Sequence, residues 1–329
     1  MTVRKKHHGA DIAFFGIALI LVLVLLYSGL RILESTVLRP GTTEQVTVSK
    51  TIERNGVSYF PRQDITVVLV MGIDQFGTVA DSETYNNRGA ADMMMLLIFD
   101  EANEVCNVLH LNRDTMVTMP VLGIGGREAG TYFGQLALSH TYGSGLEDSC
   151  ENARNTVSDF LYGIKIDHYV SMHMDAIAIL NDAVGGVTLE VTEDFSKVDP
   201  TIGMGTVTLQ GDQAIHYVRS RKDVGDQKNL SRMERQKNYI DAFVAAFRET
   251  REEDPEFIAR AYKDVSDYLL TDCSVNAVSG MIDRFGGYAI GRVVSPEGEN
   301  RLGETYYEFY VDEEKLDALI LELFYAPKK

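Results

Sequence analysis

The feature that most constrains this chain is an uncharged apolar run near its N-terminus, from Ile12 to Leu30, bounded by Asp11 and Arg31. A helix rises about 1.5 Å per residue, so roughly 20 such residues cross the hydrocarbon layer of a membrane. The apolar part of a cleaved signal peptide is shorter, at about 7–15 residues, and the end of this run makes a poor cleavage site. The run therefore predicts an uncleaved transmembrane anchor at residues 12–33.

Basic residues predict the orientation of this anchor. Arg4, Lys5 and Lys6 precede the span, whereas the residues after it carry both signs of charge. Because positive charge is retained on the cytoplasmic side, residues 1–11 are expected in the cytoplasm and the chain after about residue 34 outside the membrane. The expected location is the cell membrane, with a single span and an extracytoplasmic globular part.

Composition argues against several classes of protein. The chain has 31 Lys+Arg against 48 Asp+Glu, a net charge of −17, whereas a general nucleic-acid binder neutralises phosphates with Lys and Arg. No nucleic-acid partner is therefore expected. The three cysteines, Cys106, Cys150 and Cys273, include no CxxC pair, which argues against a disulfide scaffold and against a cysteine-type zinc site.

The pattern of apolar residues divides the rest of the chain. Residues 34–63 are polar and are interpreted as a stalk, with a short hairpin as the alternative, and residues 246–329 as a helical and strand extension that packs on the domain. Between them, residues 64–245 alternate strand-like and helix-like segments, which predicts an α/β domain with a mixed central sheet sandwiched between helices. The segments of this domain are strands at 64–72, 93–99, 105–111, 165–171 and 187–191, a glycine-rich loop at 123–134, and helices at 147–162, 174–184, 210–218 and 232–248. In the extension, a strand is predicted at 304–311 and a helix at 312–324.

Charged residues interrupt the predicted strands where each strand begins or ends. Asp74 follows the first strand, and Arg88 and Asp92 precede the second. Arg113 and Asp114 follow the third. Because α/β proteins commonly place sites in crevices at the ends of their strands, these charges favour a functional site there. Taken singly, each charge also fits a turn cap or a surface ion pair.

Four arginines form a second charged group further along the chain. Arg219 and Arg221 are placed in an extended segment that leaves the helix at 210–218, while Arg232 and Arg235 are spaced i, i+3 and share a helix face. A guanidinium binds phosphate oxygens in pairs, and the strand-end carboxylates suit a hard divalent cation. The two groups together predict a metal-assisted phosphate site, with a structural ion-pair network as the alternative.

The histidines do not predict other chemistry. His140, His168, His173 and His216 match no zinc-binding spacing and are interpreted as surface or core residues. Ser139 beside His140 lacks the Gly-x-Ser-x-Gly elbow, so a serine hydrolase is not expected.

These motifs, in this order, resemble the LytR-CpsA-Psr family of membrane-anchored cell-envelope proteins. The likeness covers roughly residues 64–245, and its most specific parts are Asn112-Arg113-Asp114, Gly185-Gly186-Val187, Val218-Arg-Ser-Arg-Lys222 and Arg232-Met-Glu-Arg-Gln236. Further matching segments are residues 67–74, 92–96, 140–143, 166–169 and 209–214.

The resemblance implies an enzyme that takes a glycopolymer from a polyprenyl-pyrophosphate lipid and attaches it through a phosphodiester to peptidoglycan, outside the membrane, with Mg²⁺ (or Mn²⁺). The implied partners are the polyprenyl-pyrophosphate-linked glycan, peptidoglycan and membrane lipid. The family also implies an apolar tunnel for the prenyl chain. Six residues of this sequence fit either that tunnel or an ordinary core, namely Phe160, Leu161, Val170, Ile177, Leu180 and Val184.

Carried over residue by residue, the resemblance implies metal ligation by Asp74 and Asp92. Catalysis is expected of Asp92, Arg113 and Arg221, and the general base that activates the acceptor is either Asp92 or Asp114. The implied pyrophosphate-binding residues are Arg88, Arg113, Arg219, Arg221, Arg232, Arg235 and Gln236.

The chain departs from the family pattern at two positions. Ala90 stands where the family usually has an arginine, and Arg88 is expected to substitute for it. Gln135 begins a segment in which the family commonly has Lys-Ile-Asn, so one basic contact is missing. This loss favours a first alternative function, a non-catalytic binding module for lipid-linked wall intermediates. A second alternative, hydrolysis of the lipid pyrophosphate by water, would use the same residues as the transferase.

Overall fold

A computed structural model describes residues 51–328, except residues 83, 124, 221, 226–228, 255–256, 274–279, 282–283, 286 and 305. The predicted anchor at 12–33, most of the predicted stalk, and Arg221 therefore lie outside the described residues. Within the part of the chain that is described, no helix is both long and apolar enough to cross a membrane.

The strands are β1 (Ile52–Arg54), β2 (Val57–Pro61), β3 (Ile65–Ile73), β4 (Ala91–Asp100), β5 (Val105–Leu111), β6 (Met116–Gly123), β7 (Arg127–Gln135), β8 (His168–His173), β9 (Val187–Val191), β10 (Gly205–Leu209), β11 (Leu269–Thr271), β12 (Ala289–Val294), β13 (Gly298–Leu302), β14 (Tyr307–Val311) and β15 (Tyr325–Pro327). The helices are α1 (Glu147–Phe160), α2 (Asp175–Ala183), α3 (Asp212–Arg219), α4 (Asn229–Glu253), α5 (Phe257–Val265) and α6 (Glu313–Phe324). Short 3₁₀ turns lie at Leu136–Ser139 and Ser266–Tyr268.

The described residues form two units. The sheet unit contains residues 51–173, 269–273 and 287–328, and the helical unit contains residues 174–268 and the described part of 274–286. The boundary predicted at residue 245 falls inside α4. The segment beyond it contributes to both units. Its helix α5 belongs to the helical unit, whereas its strands β11 and β12 are part of the central sheet of the sheet unit.

The sheet unit is built on a six-stranded mixed sheet with the order β11-β8-β3-β4-β5-β12. Its centre, β3-β4-β5, is an antiparallel meander, while β8 pairs parallel to β3 and β12 parallel to β5. Val68, Leu69 and Val70 are fully buried, as expected of a strand covered on both faces. The predicted mixed central sheet is therefore confirmed. Its two edge strands come from residues beyond 245, where the sequence pattern predicted only an appended extension.

Two helices supply apolar faces to the core of the sheet unit. Cys150, Ala153 and Val157 of α1 have the i, i+3, i+7 spacing of one helix face, and all are buried in the same cluster as the β3 and β4 side chains. Leu316 and Ile320 of α6 join this cluster at i, i+4 spacing. Because α6 lies in the C-terminal segment, that segment is part of the core.

The predicted glycine-rich loop at 123–134 is wrong, because these residues belong to a hairpin. β6 and β7 pair antiparallel from Met116 opposite Gln135 to Gly123 opposite Arg127. Gly125 has a φ of 76°, which glycine adopts at the turn without steric cost. Most β7 side chains are exposed, so the strand carries no buried, alternating apolar pattern for sequence analysis to detect.

In the part of the helical unit that the structure describes, the β9-β10 ladder accompanies the helices α2, α3, α4 and α5. Tyr239, Phe243 and Phe247 recur every fourth residue of α4, and the ring centroid of Phe247 lies 5.2 Å from that of Phe257 on α5. This aromatic row forms the buried face of a helix that is otherwise charged. The helix predicted at 210–218 is observed as α3, but it ends at Arg219. Arg219 is therefore helical, and its predicted position in an extended segment is wrong.

Candidate functional site

The register of the central strands brings three charged sequence segments to one edge of the sheet. Ile73 pairs with Ala91 between β3 and β4, and Met94 pairs with Leu111 between β4 and β5. Since both pairings are antiparallel, the end of β3, the start of β4 and the end of β5 lie at the same edge. Asp74, Asp92 and Arg113 stand at these three strand ends.

An ion pair joins the second and third of these strand ends. Arg113 Nη1 pairs with the carboxylate of Asp92, and the two side chains are 33% and 24% exposed. Arg113 Nε lies 3.6 Å from Asp114 Oδ1, beyond hydrogen-bonding distance, and it is a buried atom with no hydrogen-bond partner among the described residues. A partly exposed guanidinium with an unused N–H can donate to an oxygen of a phosphate ligand.

The segment after β5 is fixed by its own hydrogen bonds. Asn112 Oδ1 accepts the N–H of Asp114 at 3.0 Å, and Arg113 O accepts the N–H of Ala137 at 3.0 Å. Gln135 Nε2 donates to Asp114 Oδ1 at 2.7 Å and to the carbonyl of Tyr307 at 2.9 Å. In the sequence, Gln135 is notable only because it stands where the family commonly has a basic residue. The structure shows that it holds Asp114 through a neutral donor.

The loop that carries Arg88 is held on both sides of that residue. Arg88 has a φ of 61° and an exposed side chain. Buried Asn87 donates from Nδ2 to His140 O at 2.8 Å and to Ser149 Oγ at 2.9 Å, while its Oδ1 accepts the N–H of Gly89 at 2.6 Å. A non-glycine residue in this left-handed conformation costs about 1–2 kcal/mol. The hydrogen bonds of Asn87 therefore hold the backbone of Arg88 in a strained conformation that leaves its side chain exposed.

Two buried histidines hold loops beside the strand ends. His140 Nδ1 lies 2.8 Å from Gly89 O, and burial lowers the pKa of this ring to about 4. The ring is therefore neutral near pH 7. We assign the ring proton to Nδ1, which then donates to the Gly89 carbonyl. His173 Nδ1 lies 2.8 Å from Gly77 O in the loop that follows β3. Both observations agree with the interpretation of these histidines as core residues.

The helical unit holds its own charged cluster. Arg235 is 4% exposed, and all three of its nitrogens have partners. Nε donates to Tyr217 O at 3.1 Å, Nη2 donates to Ser220 O, and Nη1 pairs with Glu193. The guanidinium also lies over the ring of Phe195, 5.6 Å from its centroid. Arg235 is thus bound within the protein on every side.

These bonds satisfy the C-terminus of α3, whose last carbonyls have no partners within the helix. Gln236 adds a further bond, from its Nε2 to Val218 O at 3.1 Å. Arg219, at the last position of α3, has an exposed side chain. Arg235 and Gln236 therefore support the helix end that carries Arg219. Their predicted binding of pyrophosphate stays a prediction, as does that of Arg232, which is on α4 with Arg235.

The structure thus places the predicted residues in two groups. Asp74, Arg88, Asp92 and Arg113 belong to the sheet unit, and Arg219, Arg232, Arg235 and Gln236 to the helical unit. The tunnel or core candidates also divide: Leu161 and Val170 are fully buried in the sheet unit, while Leu180 and Val184 are 3% and 8% exposed in the helical unit.

Comparison with known proteins identifies the class of this molecule. The model described as the LytR_cpsA_psr family matches residues 36–324. The chain therefore belongs to the LytR-CpsA-Psr family, and the resemblance inferred from its motifs is confirmed.

Named relatives share part of the chain. The polyisoprenyl-teichoic acid–peptidoglycan teichoic acid transferase TagU of Halalkalibacterium halodurans is 30% identical over 183 residues, which is 55% of this chain and 53% of that protein. TagU of Enterococcus faecalis is 29% identical over 231 residues, 70% of this chain and 68% of that protein. The match to the first of these relatives spans about half of its length.

Solved structures share the fold. A structure of TagT bound to LI-WTA is 21% identical with a TM-score of 0.56, covering 79% of this chain and 90% of that one. Bacillus subtilis TagV is 22% identical with a TM-score of 0.56, covering 80% and 96%. The α/β fold with a mixed central sheet is thus shared with solved structures.

Proposed function

We propose that this protein is a membrane-anchored phosphotransferase that moves a glycopolymer from a polyprenyl-pyrophosphate lipid to peptidoglycan during cell-wall assembly. Membership of the family and relatives named as teichoic acid transferases support the proposal. The observation that carries it is the sheet-edge cluster, defined by Asp74, Asp92 and Arg113 at three neighbouring strand ends, in which Asp92 pairs with Arg113 and the buried Nε of Arg113 makes no hydrogen bond to the described residues. Carboxylates for a cation beside a guanidinium for phosphate oxygens suit a pyrophosphate ligand.

The proposed reaction breaks the phosphoanhydride bond of the lipid pyrophosphate and forms a phosphodiester. A hydroxyl oxygen of the acceptor sugar attacks the phosphorus nearer the glycan, a new P–O bond forms, and polyprenyl phosphate leaves with the electrons of the broken P–O bond. The hydroxyl proton passes to the carboxylate of Asp92 or Asp114. Arg113 stabilises the negative charge that develops on the phosphate oxygens, and Arg88 binds from the loop that displays it.

The helical unit contributes in two ways under this proposal. Arg219, Arg221 and Arg232 bind pyrophosphate oxygens, as the family resemblance implies. Arg235 and Gln236 act as positioning residues, because their donors hold the carbonyls at the end of α3. This division of roles refines the predicted binding set.

The proposed cofactor is Mg²⁺ (or Mn²⁺), held by Asp74 and Asp92. The donor set fits, because Mg²⁺ in phosphoryl-transfer sites takes one or two carboxylates and completes its shell with water and substrate phosphates. When bound, the ion would neutralise pyrophosphate oxygens. Arg113 pairs with Asp92 and so keeps one of these two carboxylates oriented.

The proposed location follows from the apolar run at residues 12–33 and its basic flank. The N-terminus is cytoplasmic, one helix spans the membrane, and the catalytic residues face outward, where peptidoglycan is assembled.

The test uses the full chain in detergent, supplied with a polyprenyl-pyrophosphate glycan, Mg²⁺ and peptidoglycan oligomers, with products followed by mass spectrometry. We expect a glycan-phosphate-peptidoglycan adduct that is lost in Asp92→Asn and Arg113→Ala. Arg54→Ala is the matched control, because Arg54 pairs with Asp317 outside the cluster and the variant is expected to keep wild-type turnover.

Two results would contradict the transferase. Release of free glycan phosphate without an adduct would identify a lipid pyrophosphate hydrolase. Tight binding of the lipid-linked glycan without any product, in protein shown to be folded, would identify a non-catalytic binding module. An adduct formed equally by Asp92→Asn would remove the sheet-edge cluster from the mechanism.

A further inference from the structure

A group of side chains outside the phosphate site lies beside β11, the outermost strand on one side of the central sheet. β11 runs antiparallel to β8, with Thr271 opposite Val170. The chain continues past β11 in the same direction, and Tyr169 N–H donates to Asp272 Oδ1 at 2.9 Å. This register carries the next residue, Cys273, to the level of His168, the first residue of β8. Three chemically different side chains therefore meet at one point.

These three side chains form a compact set of possible metal ligands. Ligand atoms of His168, Asp272 and Cys273 all lie within 4.8 Å of one another, and no other three His, Cys, Asp or Glu residues in the described part of the chain form such a group. His168 Nδ1 is 3.5 Å from Asp272 Oδ1, and Cys273 Sγ is 4.0 Å from the same oxygen. Cys273 is 9% exposed, and the side chains of His168 and Asp272 are 27% and 23% exposed.

A second observation concerns the ring nitrogen of His168. His168 Nδ1 is a buried atom that has no hydrogen-bond partner among the described residues. The nitrogen faces Asp272 Oδ1 at 3.5 Å without making a hydrogen bond of good geometry, and a ligand placed among the nitrogen, this oxygen and the sulfur of Cys273 would satisfy it. Arg154 Nη1 donates to Asp272 Oδ2 at 3.3 Å, while Oδ1 accepts the Tyr169 N–H and has a second lone pair available on the side of His168 and Cys273.

We propose that His168, Asp272 and Cys273 bind a Zn²⁺ ion. Zinc takes tetrahedral sets of imidazole nitrogen, carboxylate oxygen and thiolate sulfur with bonds of about 2.0–2.3 Å, which sets ligand atoms about 3.3–3.8 Å apart. The separations of 3.5 and 4.0 Å lie close to this range. A thiolate, a carboxylate and a neutral imidazole balance the charge of the ion, and a water completes the fourth position.

The ligand chemistry separates this ion from the proposed magnesium. Mg²⁺ prefers oxygen ligands, whereas a thiolate with an imidazole selects zinc. Arg154 supports the ligand carboxylate from outside, in the manner of the groups that orient metal ligands elsewhere. The ion would fasten β11, an edge strand of only three residues, to β8. The zinc proposal does not depend on the phosphotransferase proposal, and the two can fail separately.

The spacing of the cysteines argued against such a site because sequence templates require ligands close together along the chain. Here His168 begins a strand, and Asp272 with Cys273 follows another strand far along the sequence. Only the pairing of β8 with β11 brings them together, and nothing in the local pattern of either segment signals it.

Zinc binding is tested on the full chain, kept reduced with a phosphine reductant that does not chelate metal, stripped with a chelator, and dialysed against excess Zn²⁺. Because His7 and His8 form an adjacent pair that can take up metal by itself, the background is His7→Ala/His8→Ala. We expect one zinc per chain in this background, loss of that zinc in Cys273→Ser, and retention in Cys106→Ser. Cys106 is the matched control, since it is another buried cysteine of the sheet unit.

Spectroscopy identifies the ligands. Co²⁺ in place of Zn²⁺ is expected to give a thiolate-to-metal charge-transfer band and tetrahedral visible bands in the background protein, and neither in Cys273→Ser. Asp272→Asn retains an acceptor for Tyr169 N–H and is expected to weaken Zn²⁺ affinity by at least about tenfold. This second variant keeps the proposal testable where Cys273→Ser does not fold.

Three results would overturn the site. The first is no zinc above background in folded protein. The second is equal zinc content in folded Cys273→Ser and Cys106→Ser. The third is a cobalt spectrum without the charge-transfer band, which would mean that the metal binds elsewhere. By contrast, a thermal midpoint that rises with Zn²⁺ in the background protein and not in Asp272→Asn would support the proposed link between β8 and β11.

Discussion

Arg113 in the sheet unit and Arg235 in the helical unit are the same residue type in opposite surroundings. The Arg113 side chain is 33% exposed, pairs with Asp92, and keeps a buried nitrogen without a hydrogen-bond partner among the described residues. The Arg235 side chain is 5% exposed, and each of its nitrogens is bound to a carboxylate or a backbone carbonyl. The two arginines therefore differ in the role that the proposed function gives them: Arg113 binds the ligand, and Arg235 supports the end of the helix that carries Arg219.

The two situations differ in what a substitution should change. A partly exposed arginine with an unused donor contributes little to folding, so its loss is expected to affect turnover. A buried arginine whose partners would be left unpaired contributes to stability, so its loss is expected to unfold the protein first. Variants in each region therefore test whether these arginines act in turnover or in stability.

The largest effect is expected for Arg235→Met. Removing one partner of a buried ion pair leaves the Glu193 carboxylate and two carbonyls without donors, which costs about 3–5 kcal/mol. Urea unfolding of the full chain, followed by circular dichroism, measures this loss. The matched variant Arg219→Met, at an exposed position where any ion pair is screened by water, is expected to lower the free energy of unfolding by no more than about 1 kcal/mol. Equal stabilities for the two variants would end the distinction between supporting and binding arginines.

Asp92→Asn is expected to lower turnover by about 10²–10³-fold, because charge stabilisation at a reacting phosphate is typically worth that much. Its free energy of unfolding should stay within about 1 kcal/mol of wild type, since the Asp92–Arg113 pair is partly exposed. Asp114→Asn, measured beside it over a range of pH, distinguishes the two candidate bases. The variant that abolishes the acidic limb of the pH–rate profile has lost the general base.

Much of the fold could be predicted because its strands are strongly patterned. The strands at 105–111 and 187–191 were predicted with their observed bounds, since both are short apolar segments ended by polar residues or glycine. The edge strands β11 and β12 and the β6-β7 hairpin were missed. Exposed and short strands carry little hydrophobic pattern, and their existence depends on pairing partners distant in sequence.

The site was predictable to the level of residue type at strand ends. Asp74, Asp92 and Arg113 meet at one edge because antiparallel register follows from the short turn between β4 and β5. The support by Arg235 of the carbonyls at the end of α3 was not predictable, because an i, i+3 pair with Arg232 indicates a shared face but not whether that face is buried. Burial depends on tertiary packing, and the spacing of charged residues in the sequence does not indicate it.

Stability is expected to fall as the pH drops, because buried His140 resists protonation. Its folded pKa is about 4 against an ordinary value near 6.5, so the unfolded chain binds the extra proton between these values. The stabilisation is complete above pH 6.5 and is lost as the pH falls toward 4, by about 3 kcal/mol in all. Urea midpoints between pH 7.5 and 4.5 measure it.

His140→Gln isolates this contribution from that of other titrating groups. The variant should show a shallower fall in stability with acid, whereas His216→Gln, at a 42% exposed histidine paired with Asp199, should not flatten it by the same amount. An unchanged slope in His140→Gln would mean that His140 is not the buried neutral group that holds Gly89 and the Arg88 loop.

The smallest effect is expected at Gln135. Its variants test whether a neutral donor replaces the basic residue that the family commonly has at this position. Gln135→Ala removes the bonds to Asp114 and to Tyr307 O and should cost about 1 kcal/mol of stability. Gln135→Lys should retain stability, because the ammonium can pair with Asp114, and the added charge should lower KM for the lipid-linked donor by up to about fivefold. A KM that rises in the lysine variant, at wild-type stability, would show that this site requires a neutral donor to Asp114 at position 135.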